Sequence, residues 1–375
     1  MKISCKYLNS LMIVALGDRG MMRVIIIVSV LMSRAATFAQ TSQPLVGAIR
    51  WDAWTGGGVT EQVERTLGPK KYHDRLPWFA EVIDNKTVKI DGGRQIVMDR
   101  EIEFAAYAGL DYWAFLVYPE GDSMSVALKQ YLQSQNRKQI RFCLIMHNTL
   151  QAEDTQWPKE RDRAVRLLKE PGYQTVLDGL PLVFAFVGGE FPFDRFSEFL
   201  TAAREAGVNP YCVYMGWNPT SDFKNVANKG FDAVSAYAKG GNQPRFADLA
   251  RDVEHSYWYN ATKSQVPYLP LVTTGWDKHP RKDNPVSWEK GHGYHQQDVF
   301  PSKATPAEIS AHLKNALSLV QKHPRVCEAN TVIIYAWNEY DEGGWLAPSR
   351  TADGTPDISR LDAVRQILKD SRVQQ

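Results

Sequence analysis

Eight short apolar runs, at residues 46–51, 112–117, 141–146, 182–187, 211–215, 233–237, 268–273 and 332–336, recur along this chain with helical patterns between them. Each is too short for a helix and is bounded by polar residues, so each reads as a buried strand. Strands alternating with helices are the pattern of βαβ units around a parallel sheet, and eight of them favour an α/β fold of the closed (β/α)8 TIM-barrel type over an open sheet. The helical periodicity is clear in several places. Residues 98–108 set Met98, Ile102, Ala105 and Ala106 on one side and turn Asp99, Arg100, Glu101 and Glu103 outward. Thr305 with Glu308, and Pro306 in the first turn, form a capping box that opens a helix running to Val320. Gly207 ends a helix over 195–206, and a last helix covers 358–368. No linker rich in Pro, Gly or Ser and no internal repeat interrupts residues 40–375, so a single catalytic domain is expected there.

Two connections are long, 53–94 after the first strand and 275–304 after the seventh. Long connections in a compact domain are commonly functional, and on a barrel both of these lie on the face that carries catalysis. Residues just past each strand converge on that mouth, so they form a roll of site candidates. Here they are polar and aromatic: Arg50, Trp51, Asp52 and Trp54, then Tyr118 and Glu120, His147 and Asn148, Glu190, Trp217 and Asn218, Tyr237, and Trp276 with Asp277.

The eighth strand carries the densest chemistry. After the run 331–336 come Trp337, Asn338, Glu339, Tyr340, Asp341, Glu342, Gly343 and Gly344, three carboxylates among amphipathic rings. Glu339 and Glu342 are three residues apart, so one helical turn puts their Cβ atoms roughly 5–6 Å from each other. Carboxyl groups that close do not ionise independently, and one stays protonated as an acid while its neighbour acts as a base. That is the division of labour glycoside cleavage needs.

The stretch from Trp337 to Gly343, closed by Pro348, resembles the WNEWxEG signature of the endo-α-mannosidase-like glycoside hydrolases (family 99-like) and of related bacterial barrels described as O-antigen glycosyltransferases. Residues 171–186, 230–237 and 273–281 are similar to that group's segments around its fourth, sixth and seventh strands, so the resemblance covers most of the chain from Leu45 onward. Tyr340 stands where a tryptophan is usual, and Ala347 where many relatives carry a glutamate, so substrate identity does not carry over. The resemblance implies a glycosidase in which Glu342 protonates the leaving oxygen and Glu339 pulls on the sugar 2-hydroxyl, forming an anhydro sugar with net retention. The residues themselves leave a conventional second carboxylate open, with Asp277, Asp52 or Glu190 as candidates and the separation of the carboxyls deciding. Trp51, Trp54, Trp217 and Trp276 are expected as sugar platforms, and Tyr118, His147, Asn148, Tyr237 and Asn338 as groups that read hydroxyls.

Composition narrows the setting. A net charge of +2 gives no reason to expect nucleic acid or an acidic membrane as a partner, and the expected partner is an oligo- or polysaccharide. Arg23, the apolar core 24–32 and the small residues of 35–39 read as a signal peptide over 1–39, with Met21 or Met22 as an alternative start and no membrane span in the mature chain. A secreted or periplasmic protein follows. Cys143, Cys212 and Cys327 remain after processing, an odd number set partly in strand-like runs, so buried thiols are expected, with one disulfide pair left open. No cofactor is expected: Gly56 to Gly58 lacks the spacing of a phosphate loop, and no HExxH or cysteine pair supports His292 and His295 as metal ligands. Two rivals to a hydrolase stand. A glycosyltransferase needs a nucleotide-sugar donor, and a noncatalytic glycan-binding barrel has no use for both glutamates.

Overall fold

The computed structural model describes residues 43–373 apart from Lys290 and His292. The signal segment 1–39 and His292 lie outside the described residues. Eight parallel strands form the barrel: β1 (Leu45–Arg50), β2 (Tyr112–Val117), β3 (Arg141–Met146), β4 (Leu180–Ala185), β5 (Tyr211–Gly216), β6 (Ala233–Ala236), β7 (Leu271–Thr273) and β8 (Thr331–Tyr335). Their order is β7-β8-β1-β2-β3-β4-β5-β6. The ring closes between β6 and the residues before β7, where Val234 bridges Tyr268 in parallel. There Val234 N–H donates to Pro267 O at 3.0 Å, and Leu269 N–H donates to Val234 O at 3.0 Å. Strand residues such as Ala48, Ala114, Leu144, Val183 and Ile333 are fully buried, as expected of strands covered on both faces.

β1, β5, β6 and β8 differ from the sequence reading by a single residue at one or both ends, and two strands differ by more. β7 is three residues long rather than spanning 268–273, because Pro267 and Pro270 remove ladder donors on either side of Tyr268. β4 runs from Leu180 to Ala185 and so ends two residues early, which brings Phe186 to the mouth.

The helices follow their sequence signals. Gln95–Ala108 buries Met98, Ile102 and Ala105 and stops at Gly109, whose φ of 84° is the left-handed cap. Glu101 does not face outward as its periodicity suggested. It is buried and ion-pairs with Arg50 at 2.8 Å. The capping box of Thr305 and Glu308 opens the helix Pro306–Lys322. The long connection after β1 has structure of its own: the helix Gly57–Leu67, a 3-10 turn at Lys70–Arg75 and a hairpin of Ala80–Val82 with Val88–Ile90. Cys143, Cys212 and Cys327 are free and buried, and burial pushes the Cys327 thiol up to about 12. No helix among the described residues is long and apolar enough to cross a membrane.

Candidate active site

β8 delivers the site. Beyond it Trp337 is anchored to β1 by its N–H, which donates to Ile49 O at 2.7 Å. Asn338 and Glu339 then pair antiparallel with Trp345 and Gly344, and Tyr340–Glu342 form a single 3-10 turn between the two arms. Glu339 and Glu342 therefore flank one tight turn, the geometry in which residues three apart lie one over the other. The turn packs against the β7 connection backbone to backbone. A Cβ on Gly275 would sit 2.0 Å from Gly343 O, and one on Gly343 would sit 2.4 Å from Asp277 N. Only glycine fits at either position, and both φ values are positive.

Glu339 is 2% exposed. Its Oε1 accepts from Tyr237 Oη–H at 2.6 Å, while Oε2 has no hydrogen-bond partner among the described residues and lies 3.8 Å from Arg281 Nη2. Burial, reinforced by the neighbouring Glu342 charge, holds the Glu339 carboxyl well above the usual carboxylate range. Glu342 has different company. Tyr335 Oη–H donates to Oε2, and Oε1 meets Arg281 Nη1 and, at 3.1 Å, Lys278 Nζ. Burial keeps Tyr237 and Tyr335 far above the ordinary phenol value, so both remain donors.

Arg281 organises the acids. Its Nε and Nη2 hold Asp341 at 2.7 and 3.0 Å, a bidentate pair, and its Nη1 reaches Glu289 at 2.9 Å. The guanidinium lies over the Trp51 ring at 4.8 Å and the Trp288 ring at 5.6 Å. Lys278 Nζ contacts Glu289 at 2.8 Å and lies 4.4 Å from the Trp276 ring centre.

These groups line a cavity of about 430 Å³ at the C-terminal mouth of the barrel. Of the residues expected there, Trp51, Tyr118, His147, Asn148, Trp217, Tyr237 and Trp276 line it together with Glu339 and Glu342. Trp217 and Trp288 are about half and a third exposed, at 48% and 37%. Eight expected residues do not reach it, Arg50, Glu120 and Asn218 among them. Asp52 is buried against Arg50 at 2.6 Å, and it accepts from Asn338 Nδ2 at 3.1 Å. Asn338 spends its other polar atoms on the frame, where Oδ1 accepts from Trp51 N–H at 2.9 Å and its carbonyl accepts from Trp54 Nε1–H at 3.1 Å. Asp52, Trp54 and Asn338 thus tie the end of β1 to the β8 turn. Asp277 binds Arg75 at 2.6 Å and His279 at 2.5 Å, and although burial pushes its carboxyl up, the Arg75 charge brings it below the usual value. Glu190 is exposed in a separate surface depression beside Phe191 and Lys229.

The cavity also holds residues not expected from the strand ends, chiefly Phe186, Lys278 and Glu289, with Arg281 and Trp288 from the long connection after β7. The length of that connection was the one signal for them. Among the described residues no cluster of three or more His, Cys, Asp or Glu side chains is arranged to hold a metal ion.

A family model described as glycosyltransferase WbsX matches residues 144–355, more than half of the chain. The endo-α-mannosidase of glycoside hydrolase family 99 from Bacteroides thetaiotaomicron, solved with bis-tris-propane, superposes with a TM-score of 0.53 at 12% identity, covering 88% of this chain and 97% of that one. A second structure of that enzyme gives a TM-score of 0.51 at 10% identity, covering 88% and 98%. No curated protein matches the chain. At such identities the likeness to the mannosidase is one of fold, whereas the sequence match places the chain by descent: it belongs to the WbsX family described as glycosyltransferases.

Proposed function

We propose that this protein is a retaining glycoside hydrolase of oligo- or polysaccharides, with Glu339 and Glu342 as its base and acid. The observation that carries this reading is the pair itself, two carboxylates across one turn at the foot of an aromatic-walled cavity, one of them with a strongly raised pKa. A barrel shared with an endo-α-mannosidase supports a carbohydrate substrate. Secretion or periplasmic residence is proposed from the apolar segment 24–32 and the small residues of 35–39.

In the proposed cycle Glu342 is the group that gives a proton to the leaving oxygen. Tyr335, Lys278 and Arg281 then stabilise the carboxylate left behind. Glu339, whose affinity for a proton is raised by burial, takes the proton of the sugar 2-hydroxyl while that oxygen attacks the anomeric carbon. The bond to the leaving group breaks and an anhydro sugar forms. Water next adds at the anomeric carbon and passes a proton to Glu342, the anhydro bond opens, and its oxygen recovers a proton from Glu339. Two inversions give retention. Asp52, Glu190 and Asp277, each a candidate for a separate nucleophile, stand away from the cavity, and of the two further carboxylates that line it among the described residues Glu289 is paired with Lys278 and Arg281 and Asp122 accepts from Met124 N–H, which supports the substrate-assisted route.

The family description favours a second reading, a glycosyltransferase using a sugar nucleotide. A diphosphate needs cations, and the two that line the cavity among the described residues, Lys278 and Arg281, are already paired with Glu289, Asp341 and Glu342. The test offers residues 40–375 a polysaccharide panel and, in parallel, a set of nucleotide sugars with acceptor glycans. New reducing ends without nucleotide release support the hydrolase. Nucleotide release that depends on acceptor, with no new reducing ends, overturns it.

A further inference from the structure

We propose that His147 is a fixed hydrogen-bond acceptor, selecting sugars that present a free hydroxyl to the β3 side of the cavity. It rests on the glycan-binding part of the reading above and not on hydrolysis. His147 directly follows β3, and in the barrel order β3 and β4 stand across the mouth from β8, so the imidazole faces the side of a bound sugar remote from Glu339 and Glu342.

Three observations set the state of the ring. Its Nδ1 lies 2.7 Å from Phe186 O, and a carbonyl oxygen only accepts, so Nδ1 carries a hydrogen. The ring is held parallel to Phe186, with centroids 5.5 Å apart and planes 6° apart, and meets Tyr118 edge-on at 5.4 Å. Burial pushes the imidazole down to about 4, against the pull of the Phe186 carbonyl, so above about pH 5 the ring has a single hydrogen. Nε2 is then a bare lone pair on a ring that lines the cavity, with no protein partner among the described residues.

A ligand that strips water from such an atom must supply a donor or lose affinity. A free sugar hydroxyl supplies one. A deoxy, deoxyfluoro, O-methyl or O-acyl position does not. The site therefore discriminates at one carbon of the sugar, distinct from the 2-position that Glu339 engages, by whether its oxygen carries a hydrogen.

The test uses 15N-histidine-labelled Glu342→Gln protein, so that binding is read without turnover. Long-range 1H–15N spectra between about pH 5 and 8 are expected to show a neutral ring protonated on Nδ1, with the Nε2 resonance shifting when a binding p-nitrophenyl hexopyranoside is added. Calorimetry with the monodeoxyfluoro analogues of that glycoside is expected to find one position where fluorine weakens binding about tenfold. His147→Phe, which keeps a flat ring beside Phe186, is expected to bind parent and fluoro analogue alike. A proton on Nε2, or undiminished discrimination in His147→Phe, overturns the proposal. Should that variant not fold, the position of the proton decides. A protein that binds and discriminates but does not hydrolyse contradicts the hydrolase reading and leaves this inference standing.

Discussion

At the residue scale the decisive group is Glu339, a carboxyl almost without solvent, beside another carboxyl and with one oxygen that has no hydrogen bond among the described residues. Its folded-state pKa is raised above the unfolded value, so the stability linked to it is present in full below the unfolded value of about 4.3 and is lost as pH rises through the folded one. Glu339→Gln removes the ionisation and with it the loss. The variant is expected to melt above the parent by an amount that grows with pH over that window, roughly 2–4 °C for each kcal/mol relieved, while turnover falls at least about 100-fold. Melting curves taken from acid to alkaline pH check this, and a constant difference contradicts it. The sequence made this pair legible because two glutamates three apart after a buried strand have few places to go. It did not make Asp52 or Asn338 legible as frame residues. Short polar side chains at a strand end serve equally well in a mouth or in a seam, and here they bond each other across 286 positions of sequence.

At the element scale, the β8 turn and the connection after β7 form one unit. Gly275 and Gly343 let their backbones touch, and Arg281 bonds Asp341, Glu342 and Glu289 from the β7 side. Arg281→Met leaves three carboxylates short of a cation and is expected to cost about 3–5 kcal/mol, read as a lower urea midpoint, together with loss of activity. Arg281→Lys keeps the charge but cannot make the bidentate bond to Asp341, so it is expected to recover only part of that loss. Full recovery by lysine contradicts a geometric role for the guanidinium. Lys278 and Glu289 were hidden in the sequence for a related reason. Both look like ordinary surface charges until tertiary packing buries them against each other at 2.8 Å.

At the scale of the whole molecule, the barrel was legible because its strands are buried on both faces and stay apolar end to end. The ends of those strands were less legible, since prolines decide where β7 pairs and where the ring joins β6. That joint is a single bridge, while β2 and β3 pair over six residues. Opening is expected to begin there, with the amides of Val234 and Leu269 exchanging hydrogen faster than those in the middle of β2 and β3. Equal protection around the ring contradicts a seam at β6 and β7.

The whole molecule exists, on this view, to present a proton donor and a base to one glycosidic bond, and leaving-group dependence separates the two. Glu342→Gln and Glu339→Gln are each compared with the parent on an aryl glycoside that is turned over, first with a poor leaving group and then with a dinitrophenyl one that departs without protonation. Glu342→Gln is expected to lose about 100-fold or more on the poor leaving group and to recover most of it on the activated one, while Glu339→Gln stays slow on both. Unchanged turnover in Glu342→Gln, or recovery by Glu339→Gln in its place, contradicts the assignment.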